Sequence, residues 1–112
     1  MNLSLLVIYV PEPSLNRAAQ FYAAVLDAEP VREHHGGGPV HWSVTSAGTG
    51  LAVEMYPMGS GLPTRSRFEF VGDAEAAVQR LIDRAFALPE RTRDGRGFWC
   101  HDPIGNTVVL LP

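Results

Sequence analysis

The sequence has 112 residues, enough for one compact domain and too few for a second large one. Its net charge is −3, and its nine cations are all arginines scattered along the chain, which excludes the basic stripe of a nucleic-acid binder. A sole cysteine, Cys100, excludes an internal disulfide and fits a reducing compartment.

The apolar opening, Leu5 to Val10, stops at Pro11 and Pro13 and is too short to cross a bilayer. It lacks the positive flank and small-residue site of a secretory signal, so it reads as a first strand in a cytoplasmic protein with no membrane partner. Ser14 offers a helix N-cap. Leu15, Ala18, Phe21, Tyr22, Val25 and Leu26 then recur at helical spacing up to Glu29-Pro30. A short strand over Val31 to His34 and a Gly36-Gly37-Gly38-Pro39 turn follow. Val40 to Thr45 and Leu51 to Tyr56 alternate apolar and polar, joined by an Ala47-Gly48-Thr49-Gly50 turn. Alternation puts His41, Glu54 and Tyr56 on the face opposite Val44, Val53 and Met55.

Residues 57–64, with Gly59, Ser60, Gly61 and Pro63, read as a linker, after which the pattern restarts. Phe68 and Phe70 mark a strand. Asp73 caps a second helix whose apolar positions run from Ala74 to Ala85. Three short strands follow, around Leu88 to Arg91, Phe98 to His101 and Thr107 to Leu111, the last after an Asp102-Pro103-Ile104-Gly105-Asn106 turn. The order strand–helix–strand–strand–strand is thus written twice, in module one (about 1–57) and module two (about 65–112) of a single α+β domain.

Phe21-Tyr22, the strand Leu51-Ala52-Val53-Glu54-Met55-Tyr56-Pro57 and the Asp102 to Asn106 turn resemble the glyoxalase/bleomycin-resistance/extradiol-dioxygenase (vicinal oxygen chelate) superfamily, although Ile104 departs from its usual turn. The resemblance covers essentially the whole chain. It implies two βαβββ modules forming a curved sheet cleft, with the helices on the outer face, and a homodimer. It also implies four metal ligands, one from each of four strands, and these positions fall at Leu5, Glu54, Arg65 or Ser66, and Val109. Only Glu54 is a suitable donor, and one carboxylate cannot hold a divalent ion against water, so no metal and no other cofactor is expected.

The expected function is metal-free binding of a small aromatic or anionic molecule in the cleft. Its ligand-binding candidates are Tyr9, His35, His41, Glu54, Tyr56, Arg67, Trp99 and His101. His41 and Glu54 on adjacent strands are also the candidate catalytic pair, a carboxylate orienting an imidazole base, for a lyase or dioxygenase reading. The bland alternative pairs Glu54 with Arg65 or Arg67 in a salt bridge. A third reading is an interaction module with a vestigial cleft. His34 and His35, being adjacent on a strand, point to opposite faces and should not share an ion. Cys100 should point into the helix-packed core, opposite Trp99 and His101.

Overall fold

The computed structural model describes residues 1–62 and 65–112. Module one comprises β1 (Leu5–Val10), a 3-10 turn (Glu12–Ser14), α1 (Leu15–Leu26), β2 (Val31–Glu33), β3 (His41–Thr45) and β4 (Ala52–Pro57). Module two comprises β5 (Arg67–Val71), α2 (Ala74–Asp83), β6 (Glu90–Arg91), β7 (Phe98–His101) and β8 (Thr107–Leu111). The first sheet runs β1-β4-β3-β2 and the second β5-β8-β7-β6. In each, the first and last strands of the module pair in parallel and the rest antiparallel. The doubled α+β architecture expected from the order of elements is therefore present.

Several boundaries differ from the sequence reading. The first helix stops at Leu26, three residues before Glu29, because Asp27 takes a left-handed conformation (φ 51°) and returns its N–H to Ala23 O. Ser14 stands at the N-cap without a side-chain capping bond. The second helix stops at Asp83, and Ala85 has φ 62°, so its place in the apolar repeat is not helical. Asp73 does cap α2, accepting from Ala76 N at 3.0 Å. Pro57, expected to open the linker, is the last residue of β4, while Pro63 and Thr64 lie outside the described residues.

The core is the apolar face of each sheet against its helix, with Tyr22, Phe21, Met55, Leu81 and Leu110 among its largest buried side chains. Among the described residues the two sheets share no strand pairing; the helices and one turn join the modules. That turn is Asp102 to Asn106. Asp102 Oδ1 accepts from Ile104 N at 3.0 Å and Asn106 N at 2.9 Å. Its Oδ2 accepts from Asn106 Nδ2 at 2.8 Å and, across the modules, from the Tyr22 hydroxyl at 2.6 Å. Gly105, at φ 93°, allows the chain to turn tightly enough to bring these donors onto one carboxylate. Burial, reinforced by the charge of Asp102, pushes the Tyr22 phenol far above its ordinary range, so it stays a donor. Arg17 adds a second tie, donating to Arg84 O and Ala85 O and lying 3.5 Å from the centre of the Phe86 ring.

Candidate functional site

Strand register builds the helix-free face of the first sheet in rows. Tyr9 lies opposite Tyr56 on β1 and β4, and Glu33 lies opposite His41 on β2 and β3. His41 stacks on Tyr56, ring centres 4.1 Å apart and planes 10° from parallel, which completes a row Tyr9–Tyr56–His41–Glu33 across four strands. The adjacent row is Val7–Glu54–Ser43–Val31. His41 and Glu54 thus share a face, as alternation predicts.

His41 is the centre of this face and is 1% exposed, an unusual depth for a polar side chain away from the apolar core. Its Nε2 lies 3.1 Å from Glu33 Oε2 and 3.7 Å from Glu54 Oε2, the second being beyond hydrogen-bond length. His35 Nε2 reaches the same Glu33 oxygen at 3.1 Å. Glu54 Oε2 is buried and has no hydrogen-bond partner among the described residues. Partial desolvation, with the charges of Glu54 and Glu33 nearby, raises the Tyr56 phenol above its ordinary value.

The expectation that the chain offers no metal site needs correction. The four strand positions implied by the resemblance remain a poor donor set, since Leu5 and Val109 carry no donor at all. A different set exists: one donor atom each from Glu33, His35 and His41, all within 4.8 Å of one another. His35 is among the ligand-binding candidates of the sequence, but Glu33 is not. Glu33 ends β2 and His35 follows just beyond it, its Nε2 3.1 Å from Glu33 Oε2, and the β2–β3 hairpin places His41 opposite Glu33. Glu33 was the residue missed, and the alternate spacing Glu33-x-His35 was the signal that could have found it.

The second sheet carries Arg67, Trp99 and His101. Arg67 and Trp99 line a cleft of about 310 Å³ together with Thr92, Arg93, Thr107 and Val109. His101 is exposed and meets Trp99 edge-on at 5.6 Å without lining that cleft. Arg67 pairs with Glu69 at 2.9 Å, so the salt bridge imagined between Glu54 and Arg67 is replaced by one on β5 itself. Cys100 is half-buried against the core, and burial, aided by the charge of Asp102, pushes its thiol up to about 11. Among the described residues no hydrogen bond, ion pair or ring contact joins the His41 group to the Arg67–Trp99 group.

A larger cavity, about 660 Å³, lies between the end of α1 and the start of α2. Its charged groups are already engaged: Arg80 donates to Ala24 O at 2.7 Å, Asp73 caps α2, and Glu69 holds Arg67. Among the described residues the one buried side-chain oxygen without a hydrogen-bond partner, Glu54 Oε2, lies instead beside His41.

Three solved structures share this architecture over nearly the whole chain. A glyoxalase/bleomycin resistance protein/dioxygenase superfamily member from Sphaerobacter thermophilus is 21% identical, with TM-score 0.65, covering 99% of this chain and 96% of its own. The chain has the glyoxalase/bleomycin-resistance/dioxygenase fold. Another protein of this fold is TnmS3, an antibiotic binding protein from Streptomyces sp., 22% identical with TM-score 0.70 over 99% and 94% of the two chains. A variant of FosX, the fosfomycin resistance protein of Listeria monocytogenes, is 21% identical with TM-score 0.70 over 98% and 90%, and holds Mn(II) and a dihydroxypropylphosphonic acid. A manganese complex on this fold is the second finding against the metal-free expectation. No protein-family model and no curated protein matches the sequence. No helix among the described residues is long and apolar enough to cross a membrane.

Proposed function

We propose that this protein binds a small aromatic or anionic molecule on the helix-free faces of its sheets, acting in the cytoplasm as a homodimer. The observation that carries the reading is the cleft lined by Arg93, the Trp99 indole and Arg67, the last shared with Glu69, a combination that suits a planar or negatively charged ligand. The neighbours named for an antibiotic and for a bound phosphonic acid support small-molecule binding on this fold. Dimerisation is supported by the separation of the two candidate groups, each on its own sheet, with no hydrogen bond, ion pair or ring contact between them among the described residues. A second copy could set one group against the other. Exposed apolar side chains on the outer strands, Tyr9 and Val71, are 60% and 77% accessible and would be covered by such a partner.

A second reading is a lyase or dioxygenase in which Glu54 and His41 act as an acid–base pair. It is favoured by the unpartnered Glu54 oxygen 3.7 Å from His41 Nε2.

Both readings are tested by melting the protein with a panel of aromatic carboxylates and phosphonates while following compound consumption, with light scattering for mass. A ligand at 100 times its dissociation constant should stabilise the fold by about 2.7 kcal/mol, and Trp99→Ala should remove that gain. A monomer that no compound stabilises would sink the binding reading, and stabilisation without consumption would sink the catalytic one.

A further inference from the structure

The His41 ring carries information about what belongs beside it. Its Nδ1 lies 3.2 Å from the Pro39 carbonyl oxygen, which can only accept, so a neutral ring that keeps this hydrogen bond carries its proton on Nδ1. Nε2 is then a bare lone pair, and it faces two carboxylates, Glu33 Oε2 at 3.1 Å and Glu54 Oε2 at 3.7 Å. Lone pairs turned on carboxylate oxygens repel unless a cation lies among them. A second proton on His41 would satisfy Glu33 alone, leaving Glu54 Oε2 buried and unpartnered as it is found. A metal ion would satisfy the group together.

We propose that Glu33, His35 and His41 bind one divalent cation of the zinc class, with a fourth position left open beside Glu54. Donor atoms around a tetrahedral ion at about 2.0–2.1 Å stand roughly 3.3 Å apart. Both ring nitrogens lie 3.1 Å from the shared Glu33 oxygen, close to that spacing. The remaining adjustment falls on His35, whose side chain is 72% exposed just beyond β2 and free to close on the ion. The supporting shell is in place: the Pro39 carbonyl fixes the His41 tautomer and the Tyr56 ring fixes its plane.

Two imidazoles with one carboxylate is the donor set of open zinc sites, whereas calcium and magnesium favour oxygen alone. The same set with open positions also suits iron(II), but zinc stands above it in intrinsic affinity. Glu54 Oε2 faces the fourth position, where a solvent or ligand oxygen could donate a hydrogen bond to it. This site differs from the strand positions that the family resemblance implies, and of those it touches only Glu54. It stands or falls independently of the ligand-binding reading, because it requires no organic molecule.

The test is calorimetric titration of the chelator-treated full chain with Zn²⁺, Fe²⁺ and Mg²⁺, alongside Co²⁺ absorption as a report of coordination geometry. The expected result is one Zn²⁺ per chain, binding tighter than Fe²⁺, with little Mg²⁺ uptake, a raised melting temperature and the intense visible band of tetrahedral cobalt. His35→Ala, exposed and remote from the core, should keep the fold and weaken Zn²⁺ binding by more than the ~10–100-fold that losing an outer-shell partner costs. Glu33→Gln should do the same, which keeps the test valid if His41→Ala fails to fold. Failure of the wild-type chain to take up Zn²⁺ saturably would overturn the proposal. So would equal uptake by wild type, His35→Ala and Glu33→Gln, which marks an adventitious ion only. A doubly protonated His41 persisting in the NMR spectrum at saturating Zn²⁺ would overturn it as well.

Discussion

Asp102 and Glu54 are both carboxylates removed from bulk water, and their surroundings are opposite. Each oxygen of Asp102 accepts two hydrogen bonds, from Ile104 N, Asn106 N, Asn106 Nδ2 and the Tyr22 hydroxyl. Among the described residues Glu54 Oε2 accepts none, and it lies 3.7 Å from His41 Nε2. The difference separates a saturated structural cluster from one with acceptor capacity left over. A saturated buried carboxylate has nothing left to offer a ligand and serves to fix the turn and bind module two to α1. An unsaturated one raises the free energy of the isolated fold and lowers it again when a cation or hydrogen-bond donor arrives.

The comparison breaks most visibly at Asp102. Asp102→Ala would leave a phenol, an amide and two backbone N–H groups without their acceptor, and is expected to cost about 3–5 kcal/mol, read as a lower urea midpoint. A loss under about 1 kcal/mol would mean the turn is not the joint between modules. Tyr22→Phe removes only the inter-module donor and should cost about 1.5–3 kcal/mol, the range for a hydrogen bond to a charged group. The smallest effect belongs to Glu54→Gln. With no hydrogen bond to lose at Oε2 and an unpartnered buried charge removed, it should leave chelator-treated protein at least as stable as wild type. A clear destabilisation there would show that Glu54 has a structural partner after all.

The sequence carried the fold a long way. Strict alternation in Val40 to Thr45 and Leu51 to Tyr56 placed His41 and Glu54 on one face because side chains on a strand repeat every two residues. Helix ends were less legible. Leu26 and Asp83 close their helices through left-handed residues, Asp27 and Ala85, whose identities do not announce such a conformation. Ala85 even continues the apolar repeat, so periodicity alone carried the helix too far.

The site divided in the same way. Tyr9, His41, Glu54 and Tyr56 were assigned to a common face by a local rule, and register brought them into neighbouring rows. Glu33 was missed because its importance comes from the partner it meets across the β2–β3 hairpin, eight residues away, and not from its neighbours in sequence.

What the sequence by itself determined was therefore periodic: two modules, their strand faces, the capped second helix and a pool of candidate side chains, all set by repeats of 2 and 3.6 residues. Tertiary structure alone decided which polar groups were answered. Only cross-strand pairing could set His41 Nε2 beside Glu33 and Glu54. Only packing between modules could bring the Tyr22 hydroxyl to Asp102. Hydrogen-bond satisfaction depends on positions in space to within a few tenths of an ångström, and no pattern along the chain fixes those.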